Sequence, residues 1–201
     1  MRINLIRSAC SCLALLQIGA FYFCNLTAED LESIQRLVRE RFPEVRQLNT
    51  SHLEKWLEDD KRTKPLIVDV RPPHEFEVGH LKDARRLDSV IAFERAKVDR
   101  ATPLVLYCSV GYRSSSLVME LKKAGWTNIW NVEGSIFKWA NEGRPVYRGK
   151  NKVNVVHPYD AKWGKLLKAQ YHPFNLKTGM TPDKSSEGPG DKAIPNHSPD
   201  P

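Results

Sequence analysis

PLVLYCSVGYRSSSLVMELKKAG, residues Pro103 to Gly125, is the stretch whose reading decides the fold. The apolar run Leu104-Val105-Leu106-Tyr107 follows a proline and stops at Cys108, as a buried parallel strand does. A tight loop follows, Ser109-Val110-Gly111-Tyr112. From Arg113 onward Leu117, Val118, Leu121 and Ala124 recur at helical spacing, with Ser114 or Ser115 expected to cap the start and Gly125 placed for a left-handed C-cap. Cys108 therefore sits at a strand end beneath a helix N-terminus.

A thiol attacks only as thiolate. Backbone N–H groups converging on the sulfur, the helix dipole and the guanidinium of Arg113 would lower its pKa and hold an anion beside it. The competing reading is a buried cysteine acting as a small hydrophobe. Against it, the residues after Cys108 are polar, glycine-containing and basic rather than core-like.

Outward from this stretch, strand and helix patterns alternate. Leu31 to Phe42 has helical spacing and ends at Pro43, predicting a helix that packs beside the domain or serves as a stalk. Val45 to Leu48 reads as a short edge strand, and Thr50 or Ser51 as the cap of a helix carrying Leu53, Trp56 and Leu57. Asn49-Thr50-Ser51 also fits a glycosylation sequon, equally explained by a turn and cap. Leu66 to Val70 is a buried central strand, broken by Pro72-Pro73, which start a short helix through Glu77. Arg85-Arg86 lies on a short strand, Val90 to Val98 on a helix, Asn128 to Val132 on a fifth strand, and Gly134 to Glu142 on a closing helix. This alternation predicts an α/β fold with a parallel sheet and its site at the strand carboxyl ends.

The chain of 201 residues accommodates one domain plus tails, and its 41% hydrophobic and 27% charged content is that of a globular protein. A formal charge of +7 is spread without a basic run, which speaks against nucleic acid as a partner and suits attraction of small anions. Of four cysteines, Cys10, Cys12 and Cys24 fall in the apolar N-terminus, leaving Cys108 alone in the globular part. Neither a disulfide framework nor a zinc site is expected within the domain. Ser8 to Thr27 carries no charge and is flanked by Arg2 and Arg7 before and Glu29, Asp30 and Glu32 after. Residues 1–28 are thus expected to be a membrane anchor or a signal peptide, sending the domain out of the cytoplasm to a periplasm or lumen. Residues 29–44 form a helical lead-in, 45–149 the domain, 150–176 a segment packing on it, and 177–201, rich in proline, glycine, serine and charge, a disordered tail.

Cys108-Ser109-Val110-Gly111-Tyr112-Arg113-Ser114 resembles the active-site loop of single-domain rhodaneses, a family of sulfurtransferases. Leu66-Ile67-Val68-Asp69-Val70-Arg71, then Glu75, then Gly79-His80-Leu81 and Ala84, resembles that family's first signature, and Asn131-Val132-Glu133-Gly134 with Trp139 its closing one. The resemblance spans about residues 46 to 148 and departs at Leu87, usually proline, and Ser135, usually glycine. It implies a three-layer fold with a central, mainly parallel five-stranded sheet flanked by helices. It also implies sulfane-sulfur transfer with no metal or organic cofactor: Cys108 takes sulfur from an anionic, thiosulfate-like donor and passes it from a persulfide to a thiol or protein-thiol acceptor. Ser109, Val110, Gly111, Tyr112, Arg113 and Ser114 would hold the donor, with Asp69 and Arg71 supporting the loop after their strand rather than touching substrate. Gly79-His80-Leu81 is scaffold in the family, so His80 is not expected to act as a base.

Two rivals remain. A Cys-x5-Arg phosphatase loop would need one more residue than the four from Ser109 to Tyr112. A non-catalytic binding module would use the fold as scaffold and present the C-terminal aromatic segment, His157, Tyr159, Trp163, Tyr171 and His172, to a partner. Cys108 counts against that reading; a free thiol facing an oxidising space counts for it.

Overall fold

The structure, a computed structural model, describes residues 30–173. The charge-free run expected to anchor or export the domain, and the expected disordered tail, lie outside these residues. Among the described residues no helix is long and apolar enough to cross a membrane.

Five strands form one sheet in the order β1-β5-β4-β2-β3: β1 (Gln47–Leu48), β2 (Leu66–Asp69), β3 (Arg85–Arg86), β4 (Leu104–Tyr107) and β5 (Ile129–Val132). All pairings are parallel, so the expected mainly parallel sheet is wholly so. The strand bearing Cys108 at its end occupies the middle.

Because strand side chains alternate, each strand feeds two cores. Ile67, Val105, Tyr107 and Val132 face one layer, built by α1 (Leu31–Arg41), α2 (Thr50–Glu58) and α6 (Ser135–Asn141) through Ile34, Val38, Leu53, Trp56, Ile136 and Phe137. Val68, Leu104, Leu106, Cys108 and Ile129 face the other, with α4 (Val90–Arg95) and α5 (Tyr112–Lys123). Leu117, Val118 and Leu121 of α5 are buried there, each contributing about 1.5–3 kcal/mol. The short α3 (Pro73–Val78) follows β2.

The lead-in helix α1 packs rather than stands off as a stalk: Ile34 and Val38 join the core of α6. Two expected caps differ. Asn49, not Thr50 or Ser51, caps α2, its Oδ1 accepting the His52 N–H at 2.8 Å. Helix α5 starts at Tyr112 rather than after Arg113, with Gly111 as N-cap at φ +105°, so neither Ser114 nor Ser115 caps it. After α6, β6 (Val146–Arg148) and β7 (Asn151–Val153) form an antiparallel hairpin, two short strands that the sequence pattern does not predict. Beyond it, 3-10 turns at Trp163–Leu166 and Ala169–Tyr171 bring the chain back onto the domain. Of the aromatic segment, Tyr171 is buried, and His172 Nε2 lies 3.1 Å from the carbonyls of Gly164 and Leu167.

Candidate active site

Strand β4 ends in a turn that keeps Cys108 inside the molecule, 1% exposed. The Gly111 N–H donates to its Sγ at 3.1 Å. Only a left-handed residue turns the chain this tightly between strand and helix. At Gly111 an added Cβ would also press on Asn131 Nδ2 at 3.1 Å. Burial raises the thiol pKa, yet the charge of Arg113 and the N–H groups of Ser114 and Gly111 oppose it, so the thiol ionises below its ordinary value of 9.0.

The loop side chains divide by task. Val110 is buried in the α6-side core, and Tyr112 is exposed, its ring edge-on to Phe42 at 5.1 Å. The Ser114 hydroxyl donates to Asn131 Oδ1 at 2.6 Å, tying the helix start to β5. Arg113 is turned to Glu75: Nη1 to Oε1 at 2.7 Å and Nη2 to Oε2 at 2.9 Å, with Nη2 also donating to Ser109 Oγ at 3.0 Å. Ser109 in turn donates to Glu75 Oε2 at 3.2 Å. Glu75 is 1% exposed, so this carboxylate fixes both the first and last side chains of the loop. Burial opposes the charge of Arg113, but Glu75 and the Cys108 thiolate more than restore it.

Asp69 and Arg71 lie one layer behind. Both side chains are fully buried and pair at 2.7 Å, Arg71 Nη2 also donating to Gly79 O at 2.7 Å. They clamp the two ends of α3 and thereby place Glu75. His80, just after α3, bridges to the hairpin: its Nδ1 lies 2.8 Å from Leu81 O, Nε2 accepts the Gly149 N–H at 3.1 Å, and the ring stacks on Phe76.

The N-terminus of α6 closes the loop from the other side. Ile136 and Phe137 N–H groups donate to Cys108 O and Ser109 O, while Ser135 Oγ accepts the Cys108 N–H at 3.2 Å and donates to Val132 O at 3.0 Å. Beside α5 a groove of about 280 Å³, lined by Asp88, Tyr112, Arg113, Ser116, Leu117 and Glu120, opens next to the loop.

Sequence reasoning gave no site role to Glu75, Asn131, Ser135 or Tyr159. For Glu75 the available signal was physical: an arginine ending a buried loop needs a carboxylate partner, though one 38 residues away announces itself by no local pattern. Among the described residues no group of His, Cys, Asp or Glu is placed to hold a metal.

Residues 50–142 match the family described as Rhodanese-like domain. The uncharacterized protein YqhL of Bacillus subtilis is 35% identical over 80 residues, 39% of this chain and 64% of that protein. A sulfurtransferase of Allochromatium vinosum is 29% identical over 103 residues, 51% of this chain and 94% of that protein. Among solved structures, a rhodanese-related protein from Thermoplasma volcanium is 28% identical with a TM-score of 0.43, covering 51% of this chain and 97% of that one. Residues 50–142 are thus similar to a rhodanese-like domain, and the five-stranded parallel sheet between helical layers is the α/β fold expected of one.

Proposed function

We propose that the protein is a sulfurtransferase that carries sulfane sulfur on Cys108. The observation that bears most weight is a fully enclosed thiol whose sulfur accepts the Gly111 N–H, in a loop that favours its ionised form despite burial. The Cys108 thiolate attacks the outer sulfur of a thiosulfate-like donor; the donor's S–S bond breaks, and sulfite leaves with the electron pair. The terminal sulfur of the resulting persulfide carries negative charge, which the converging N–H groups of the loop and the α5 N-terminus stabilise where it develops. An acceptor thiolate, small or protein-borne, then attacks that sulfur, and Cys108 leaves as thiolate. The sulfurtransferase from Allochromatium vinosum, matched over 94% of its length, supports this reading.

Arg113 acts here through its charge and through loop shape, because Glu75 already occupies its two terminal nitrogens. Four residues between Cys108 and Arg113 give a cradle sized for one added sulfur rather than a phosphoryl group. For the N-terminal region we propose export or anchoring, with the domain outside the cytoplasm, on the strength of the uncharged run from Ser8 to Thr27. Mass spectrometry of the protein after thiosulfate treatment tests the function: one added sulfur on Cys108, absent from Cys108→Ser, is the expected result. No added sulfur from thiosulfate, mercaptopyruvate or a low-molecular-weight persulfide would overturn it.

A further inference from the structure

Residues 153–172 lie beyond the span that matches the family, yet they reach the arginine of the nucleophile loop. This strap is held on both sides of its tip. Val156 is fully buried and donates to Tyr171 O at 2.7 Å, and Val155 O approaches Gly79 so closely that a Cβ there would lie 2.2 Å from it. Past the tip, Asp160 Oδ1 accepts the N–H groups of Lys162 and Trp163 at 2.8 and 2.7 Å, and Asn141 holds Lys168 N–H and Leu166 O. Between these anchors Tyr159 adopts φ +69°, a left-handed backbone that costs a bulky residue about 1 kcal/mol or more. Its N–H donates to His157 Nδ1 at 3.0 Å, and the His157 ring lies edge-on to His74 at 5.3 Å. The kink places the Tyr159 ring 4.8 Å from the guanidinium of Arg113.

We infer that Tyr159 is a positioning residue of this site: its ring covers the outer face of Arg113 and holds the guanidinium on Glu75 and Ser109, from where its charge acts on Cys108. The inference rests on the sulfur-transfer reading for its purpose, though not for its test. A guanidinium with a ring against one face loses water there, and its field is screened less. The groups acting on Arg113 are Glu75 from α3, Cys108 from the loop and Tyr159 from the strap. His157, from the strap, stands among Glu75, His74, Arg71 and Arg113. The thiol itself belongs to the buried core that holds Val70, Leu106 of β4 and Leu117 and Val118 of α5. Removing the ring therefore wets Arg113 rather than the sulfur, and the thiolate loses support.

The test uses Tyr159→Ala and Tyr159→Phe in the full chain. The pH dependence of Cys108 alkylation by iodoacetamide is measured beside the rate of persulfide loading from thiosulfate. Tyr159→Ala is expected to move the alkylation midpoint upward and to slow loading about threefold or more at pH values below it, while Tyr159→Phe restores both. Tyr159→Gly, which suits the left-handed backbone, is expected to match Tyr159→Ala and guards against an effect of a disturbed strap. A wild-type midpoint in the Ala and Gly variants, or a Phe variant behaving like Ala, would overturn the inference. Absence of loading in the wild type would instead remove the sulfur-transfer reading, and the alkylation midpoints would still decide the role of Tyr159.

Discussion

Replacing Arg113 with alanine removes a charge that acts on the nucleophile and strips a partner from a buried carboxylate. Glu75, 1% exposed, would keep only the Ser109 hydroxyl at 3.2 Å after losing contacts at 2.7 and 2.9 Å. Breaking a fully buried pair costs about 3–5 kcal/mol; because the Arg113 side chain is 25% exposed, water enters the space left, and about 2–3 kcal/mol is the reasonable figure. At about 2–4 °C per kcal/mol for a chain of this size, the melting temperature falls by roughly 4–12 °C. The thiol meanwhile loses the foremost influence opposing its burial, so its pKa rises and Cys108 alkylates about tenfold more slowly near neutral pH. The double variant Arg113→Ala with Glu75→Ala separates the two effects. It is expected to recover about 1 kcal/mol or more of the lost stability, by urea unfolding, without recovering the alkylation rate. Strictly additive destabilisation, or an alkylation midpoint in Arg113→Ala equal to that of the wild type, would refute the coupling of Glu75, Arg113 and Cys108.

Because the folded thiol ionises below its ordinary value of 9.0, the thiolate stabilises the folded state fully above that value and the contribution disappears as pH falls through the folded pKa; the stability gap between wild type and Cys108→Ala should therefore widen as pH rises across that interval, by urea unfolding at stepped pH. Gly111→Ala forces a side chain to φ +105° against Asn131 and is expected to cost about 1–2 kcal/mol and to slow persulfide loading, read by mass spectrometry at timed intervals; unchanged loading would show that the left-handed turn is dispensable. A reporter active only in the cytoplasm, fused after Lys150, is expected to be silent if the Ser8 to Thr27 run exports or anchors the domain, and a strong signal would reverse that topology.

How much was legible depended on the range of the interaction. The central strand, its loop and α5 announced themselves through an apolar run, a glycine and helical spacing, all within 23 residues of one another. The helix start was misplaced because serine capping is the commoner device, whereas the left-handed Gly111 leads straight from loop to helix. Ser135 was recognised as a departure in a scaffold position. Its hydroxyl, tied to Cys108 N–H and Val132 O, offsets the φ of +50° that a glycine would adopt without strain. The β6–β7 hairpin was missed although Gly149-Lys150 marks its two-residue turn, since strands of three residues are too short to show alternation. Glu75 and Tyr159 meet Arg113 from 38 and 46 positions away, distances at which a single sequence carries residue types but no pairing.

The middle place of β4 has a consequence for how the thiol ages. The outer strands β1 and β3 are two residues long and fray first, while β4 is paired on both sides by four-residue strands. Fluctuations at the rim of the sheet thus leave the peptide frame of Cys108 undisturbed. Because Cys108 is 1% exposed, peroxide or a foreign disulfide, like the sulfur donor itself, depends on motion of the loop from Ser109 to Tyr112 to reach the sulfur. The rate of oxidative inactivation becomes a clock for that one local motion, independent of the stability of the domain as a whole.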